Sequence, residues 1–205
     1  AENQTAVTTI SVSDVDEDDL TLTLGGADAD SFNLLTDNVL TFKEAPDFET
    51  KSSYSITLSL TDGIEVVDKD ISIIITNIND VAPEFTSDAI FSAAENQSAI
   101  GTITATDADG DSVTFTVSGS ELEITSAGVL TFKTAPDYET KSTYTATVTA
   151  TDGTNPTTQN ITVNVTNVND NSPSFTSGAT FSAAENQTAI GTITATDADG
   201  DSVTF

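Results

Sequence analysis

Residues 83–115 read PEFTSDAIFSAAENQSAIGTITATDADGDSVTF, and residues 173–205 read PSFTSGATFSAAENQTAIGTITATDADGDSVTF. The two stretches differ only at 84/174, 88/178, 90/180 and 98/188, an offset of 90 residues. A near-verbatim return at a fixed period is the mark of a tandem array. Working outward, the same offset relates Leu40-Thr41-Phe42 to Leu130-Thr131-Phe132, and Ala45-Pro46-Asp47-Phe48-Glu49 to Ala135-Pro136-Asp137-Tyr138-Glu139. It also relates Asn77-Ile78-Asn79-Asp80 to Asn167-Val168-Asn169-Asp170. Glu2 and Glu95 lie 93 apart, so the first copy carries about three extra residues between Asp18 and Leu40. We therefore read repeat 1 as 1–82 without its first strand, repeat 2 as 83–172 complete, and 173–205 as the opening of a third. That last piece cannot close a sandwich alone. The chain starts inside the pattern, at Ala1-Glu2-Asn3, and reads as part of a longer array made by duplication.

Inside each repeat the apolar residues keep a period of two. Tyr144, Ala146, Val148 and Ala150 alternate with Thr, and Ile161, Val163 and Val165 alternate with polar residues. Tyr54, Ile56, Leu58, Leu60 and then Ile71, Ile73, Ile75 repeat this, and Val113, Phe115, Val117 add a further run. Such alternation turns one set of side chains to one face of a strand. Asp62-Gly63, Asp109-Gly110, Asp152-Gly153 and Asn155-Pro156 punctuate the runs. About seven short strands with turns every 8–12 residues predict an all-β, Greek-key, Ig-like sandwich per repeat, in a linear array. Phe42, Phe48, Phe132 and Tyr138 are expected in the cores.

Composition narrows the function. Five Lys face 33 acidic residues, a net charge of −28. That excludes phosphate-backbone binding, which needs basic patches, and argues against an anionic membrane surface. So acidic a chain could be disordered, but the periodic apolar positions argue otherwise. No His or Cys is present, so no nucleophile–base pair and no disulfide framework is expected, and the chain reads as non-enzymatic. No run of about 18 apolar residues exists to span a bilayer.

The acidic residues concentrate in short motifs at strand ends. These are Ala94-Glu95-Asn96, Asp107-Ala108-Asp109-Gly110, Asp137-Tyr138-Glu139, Thr151-Asp152-Gly153 and Asn167-Val168-Asn169-Asp170-Asn171-Ser172-Pro173. In type, order and spacing this set resembles the cadherin repeat family, whose signatures are a strand-A Glu, a DxD turn, a DxE pair, an AxDxG turn and a DxNDN linker ending in Pro. The copies look most like the tandem cadherin-like repeats of large bacterial surface adhesins.

The resemblance implies calcium, three ions at each complete junction between repeats. For the first junction it implies Glu2, Asp47, Glu49, Asn77 and Asp80, with Asn79, Asp107, Asp109 and Asp152, and the carbonyls of Ile78 and Val81. For the second it implies Glu95, Asp137, Glu139, Asn167, Asn169, Asp170, Asp197 and Asp199, with Val168 and Asn171 of the same linker. Asp14, Asp16 and Asp62 would form half of a further junction. These are hard oxygen donors of the kind Ca²⁺ takes 6–8 at a time. Crowded carboxylates repel one another unless a cation sits among them, so calcium would stiffen the string and its removal would loosen it.

Two departures from the family pattern stand out. Asn77 and Asn167 open the linkers where vertebrate-type cadherins commonly carry Asp, and Asp14-Val15-Asp16-Glu17-Asp18 lacks the Gly of the other DxD turns. An EF-hand loop starting at Asp107 fails because its twelfth position is Ser118 rather than Glu. Glu65, Asp68 and Asp70 read as a solvated surface. The expected role is that of a calcium-dependent extender in an extracellular, surface-anchored adhesin, whose partners are the neighbouring repeats. The other reading is a module that binds polysaccharide or another copy of itself. Absence of Trp removes the anchor that strand-swapping vertebrate cadherins use, which favours the extender.

Overall fold

A computed structural model describes residues 1–205. The chain divides into two compact units, Ala1–Val81 and Ala82–Phe205.

The first unit holds β1 (Ala6–Thr9), β2 (Thr21–Gly25), β3 (Phe32–Leu34), β4 (Val39–Phe42), β5 (Ser53–Thr61) and β6 (Val66–Ile74). Two three-stranded antiparallel sheets form, ordered β1-β4-β3 and β2-β5-β6. The alternating residues do what a period of two requires: Ile56 and Leu58 of β5 turn inward onto Leu40, Phe42, Phe32 and Ile75. The rings of Phe32, Phe42 and Tyr54 meet at centroid distances of 4.4 to 5.6 Å.

The second unit adds β7 (Glu84–Phe85), β8 (Ile90–Ala94), β9 (Ala99–Thr102), β10 (Ala105–Thr106), β11 (Thr114–Val117), β12 (Leu122–Ile124), β13 (Val129–Phe132), β14 (Thr143–Thr151), β15 (Pro156–Thr166), β16 (Ser174–Phe175) and β17 (Ala195–Thr196). One sheet runs β11-β14-β15-β8 and the other β12-β13-β9, with β7 paired to β10 and β16 to β17. All pairings are antiparallel except β15 with β8, where Thr162 faces Ile90 and Thr166 faces Ala94. Ile103, Leu130, Val148, Ala150 and Val163 are fully enclosed between the two sheets, with Phe85 and Phe91 packed against them.

This is the sandwich predicted from the alternation, with one refinement that periodicity does not report. The second strand is split into β9 and β10, and at the break the Ile103 N–H turns to the carbonyl of Gly128 at 2.9 Å. Gly128 stands at φ +87, and a Cβ there would lie 2.1 Å from the Ile103 oxygen. Only glycine allows that approach. Phe42 and Phe132 are core residues as expected, Phe48 packs against the core, and Tyr138 is 37% exposed.

Candidate metal centres

In the second unit the acidic motifs are gathered by Glu95. Its carboxylate is 3% exposed, one of two buried charged side chains in the chain. Oε2 accepts the Tyr138 N–H at 2.7 Å and Oε1 accepts the Val168 N–H at 2.7 Å. The residue after β8 thereby ties the loop that follows β13 to the segment that follows β15. Asn96 takes φ +64, a left-handed position that Asn tolerates better than most residues. There it donates its N–H to the Pro136 carbonyl at 3.0 Å and its side-chain amide to Asp170 Oδ2.

Glu95, Glu139, Asp170 and Asp199 each bring a carboxylate oxygen into one group, all within 4.8 Å of one another. The side chain that bridges three of them is Asn171. Its side-chain NH₂ lies 2.8 Å from Asp170 Oδ1, 3.1 Å from Asp199 Oδ1 and 3.3 Å from Glu139 Oε2. An amide has two hydrogens for those three oxygens and no full charge, so the group's negative charge is left largely uncompensated. The backbone N–H groups of Asn171 and Asp170 go to Asp199 Oδ2 at 2.8 and 3.1 Å, and the Asn167 side chain donates to the Asp199 carbonyl at 2.8 Å.

The titration of these groups reflects their crowding. Glu139 is pushed above the ordinary carboxylate range by desolvation, and the charges of Glu95, Asp199 and Asp137 add to the shift. Desolvation acts the same way on Asp199, but hydrogen bonds from Asn171 and Asp170 outweigh it and hold that carboxyl low. The two ion pairs, Lys51 with Asp28 and Lys141 with Glu121, involve none of these four carboxylates.

A second kind of group forms within single turns. Asp107, Asp109 and Asp111 converge within 4.8 Å, as do Asp197, Asp199 and Asp201. Gly110 and Gly200 make the turn possible at φ +84 and +83. Oδ1 of Asp107 accepts the Asp111 N–H at 3.1 Å, whereas Oδ2 is buried with no hydrogen-bond partner. Asp197 Oδ1 takes the Asp199 N–H at 3.0 Å, and the Asn169 amide bonds Asp201 Oδ2. Oxygen-only groups of this kind, with a buried unpaired carboxylate oxygen among them, fit a hard divalent cation.

The first unit repeats the Glu95 arrangement. Glu2 is 2% exposed, and its oxygens accept the N–H groups of Phe48 at 2.8 Å and Ile78 at 2.7 Å. Asn3 at φ +59 donates to the Pro46 carbonyl at 3.0 Å and to Asp80 Oδ2. Glu2, Glu49 and Asp80 bring carboxylate oxygens within 4.8 Å of one another. Asn77, Asn79 and Val81 flank Ile78 and Asp80 on the segment that ends this unit.

Other predicted ligands stand apart from these groups. Asp47 and Asp137 spend their carboxylates on the turns they begin, accepting the N–H and hydroxyl of Thr50 at 3.1 and 2.9 Å, and of Thr140 at 3.1 and 2.8 Å. Those bonds hold both aspartates below the usual range, the threonine hydroxyl contributing most. Asp62 accepts the Ile64 and Glu65 N–H groups at 2.8 Å and is likewise held low, Glu65 contributing most. Asp152 accepts Thr154 and Asn155 at 2.6 Å; desolvation pushes it up, and these bonds outweigh that push. Asp14 Oδ1 caps its own turn through the Asp16 N–H at 2.7 Å. There Glu17 takes φ +64 where the equivalent Gly110 stands, so the turn forms without its glycine.

Asp111 and Asp201 are the carboxylates that the motif reading passed over. The signal was present: in Asp-Ala-Asp-Gly-Asp the residue after a left-handed glycine folds back over the first aspartate.

No family model matches the chain, but individual known proteins do. Human Cadherin-23 is 31% identical over 186 residues, covering 83% of this chain and 6% of that protein. Human Protocadherin Fat 4 is 30% identical over 172 residues, 74% of this chain and 3% of that protein. The wing polarity protein stan of Drosophila melanogaster is 30% identical over 200 residues, 84% of this chain and 6% of that protein. The chain thus spans a small fraction of the length of each. Among solved structures, mouse Cadherin-23 EC22-24 superposes with TM-score 0.69 at 25% identity, over 96% of this chain and 73% of that one. Extracellular cadherin domains 3–6 of Protocadherin Gamma B2 give 0.73 at 21% identity, over 88% of this chain and 51% of that one. The chain is built of cadherin-type repeats.

Proposed function

We propose that the chain is a calcium-stiffened segment of an extracellular adhesion protein, in which cations bound at the ends of the repeats hold successive repeats in line. The observation that carries this is the convergence of Glu95, Glu139, Asp170 and Asp199 within 4.8 Å, with the uncharged Asn171 side-chain amide bridging three of them. Glu95 and Glu139 come from the repeat at 83–172, Asp170 from the linker, and Asp199 from the stretch that follows it. A cation held by all four would fasten that following stretch to the repeat before it. Asp197 and Asp201, and in the other DxD turn Asp107, Asp109 and Asp111, would hold further ions. Glu2, Glu49 and Asp80 belong to the same reading in the first unit.

The bound ion would supply the positive charge that the four carboxylates lack. The chain's own residues do the positioning. Glu95 fixes two backbone segments around the site, Asn171 bridges three carboxylates across it, and Asp137 and Asp152 shape the turns from which ligands project. The repeats carry the load, and their near-identity suits a spacer better than a specialised binding tip. The names of the relatives support adhesion as the wider role, and a location outside the cell, where calcium is plentiful, follows from it.

Calorimetric titration with calcium tests this. Binding is expected with dissociation constants of about 10⁻⁴–10⁻³ M, the range of extracellular modules. Asp170→Ala should remove the heat of the site it shares with Glu95 and leave the rest. A calcium titration without heat, together with small-angle scattering indifferent to a chelator, would overturn the reading.

A further inference from the structure

Asn171 acts on the Glu95 group through both its backbone and its side chain. Its backbone N–H lies 2.8 Å from Asp199 Oδ2 and its side-chain NH₂ 3.1 Å from Asp199 Oδ1, so one residue takes both oxygens of that carboxylate. The same NH₂ reaches Asp170 Oδ1 at 2.8 Å and Glu139 Oε2 at 3.3 Å. Carboxylates from the turn after β13, from the linker and from the turn after β17 thus meet on one nitrogen. Beside it, the Asn167 amide donates to the Asp199 carbonyl at 2.8 Å and the Asn169 amide to Asp201 Oδ2. The linker at 167–171 grips the turn at 199–201 directly, through hydrogen bonds.

The orientation of the Asn171 amide is fixed by its company. Turned over, it would set Oδ1 against three carboxylate oxygens, acceptor against acceptor. With its NH₂ toward them it presents two hydrogens where oxygens of Glu139, Asp170 and Asp199 converge, and a cation shared by those oxygens needs the same lone pairs. In the first unit Glu2, Glu49 and Asp80 correspond to Glu95, Glu139 and Asp170. There the residue after the linker aspartate is Val81, whose side chain has no N–H to donate.

We infer that the Asn171 side chain is not a calcium ligand, as the family resemblance implied, but the cation's competitor: an amide that bridges Glu139, Asp170 and Asp199 and must swing aside for calcium to enter. This rests on the calcium reading of the site given above. Bonds that the ion displaces add to the cohesion of the chelated chain and subtract from the affinity for the ion. Asn171 therefore sets the calcium threshold of the Glu95 group. That group stays latched when calcium is scarce and fills late, whereas the Glu2 group, with valine at the equivalent place, has no such amide to displace and fills early. Two sites built from the same carboxylates are in this way tuned apart by one uncharged residue.

Amide NMR of the intact chain, titrated with calcium and then followed by hydrogen exchange in chelator, tests this with Asn171→Val. Asn171 is exposed and valine is what the first linker carries, so the fold is kept. The N–H groups of Tyr138 and Val168, which bond Glu95, report calcium at the second group, and those of Phe48 and Ile78 report it at the first. Asn171→Val should tighten calcium binding at the second group by about fivefold, the low end for coupled interactions. In chelator it should speed exchange of the Asp170 N–H, which bonds Asp199 Oδ2, by about tenfold. The reciprocal Val81→Asn should weaken calcium at the first group by a similar factor. A merely structural role would lower cohesion and affinity together, whereas competition moves them in opposite directions. Weaker calcium binding in Asn171→Val makes the side chain a ligand and overturns the proposal, as does Asp170 exchange that the substitution leaves unchanged. Tyr138 and Val168 signals that ignore calcium in the parent chain would instead overturn the calcium reading itself, and the competition with it.

Discussion

Replacing Glu95 by Gln perturbs a carboxylate that is 3% exposed and accepts two backbone N–H groups, from Tyr138 and Val168, each at 2.7 Å. The amide is nearly isosteric. Its oxygen can keep one of the two bonds, but its NH₂ must then face the other N–H, donor against donor. Hydrogen bonds to a charged group contribute about 1.5–3 kcal/mol each, and an orphaned buried donor costs a similar amount. We expect Glu95→Gln to destabilise the second unit by about 2–3 kcal/mol with calcium chelated. For a sandwich of this size that lowers the melting temperature by on the order of 10 °C. Differential scanning calorimetry suits a chain of two units, where one two-state transition cannot be assumed. Glu2→Gln is a built-in replicate, since Glu2 accepts Phe48 and Ile78 in the same way and should shift the transition of the other unit. Calcium should widen the gap between parent and Glu95→Gln, because the variant also lacks a charged ligand. A loss below about 0.5 kcal/mol, or a calcium response equal in parent and variant, would refute the reasoning.

Three other outcomes are expected. Leu130→Ala empties a fully buried site between the sheets and should cost about 2–5 kcal/mol in urea unfolding, as Leu40→Ala should in the first unit. Gly128→Ala places a Cβ 2.1 Å from the Ile103 carbonyl oxygen at a φ of +87, so it should destabilise by more than about 1 kcal/mol, whereas alanine at Gly153, which meets no atom within 4 Å, should cost less. In chelator, acid should act in two opposed phases. Asp47, Asp62 and Asp137 are held below the ordinary aspartate value of 3.8, so the stability they contribute is present above that value and lost as pH falls through their lower folded values. Glu139 is held above its ordinary 4.5, so its contribution is full below that pH and lost as pH rises through the folded value. Thermal melts across pH should therefore show a shallow optimum in mild acid and a steep fall below about pH 4. Calcium should flatten the shallow phase by taking the place of the proton at Glu139.

Much of this was legible from residues alone, for a physical reason. Strand faces are set by local alternation, so Ile56, Leu58, Val148 and Val163 announced their burial without reference to distant partners. Repetition did the rest, since a motif returning at a fixed offset can be compared with itself, and Glu95, Asp137, Asp170 and Asp199 stood out as acids held at strand ends. What the linear pattern could not rank is which acids share a site and which serve their own turns. Asp137 and Glu139 are two residues apart, yet Asp137 bonds Thr140 while Glu139 joins Glu95, Asp170 and Asp199. That division depends on where the carboxylate points once the turn has closed, a matter of three-dimensional reach. Glu95 shows the same limit. Its charge is plain in the sequence, but its burial, and its hold on two segments 43 and 73 residues away, exist only after the sheets pack.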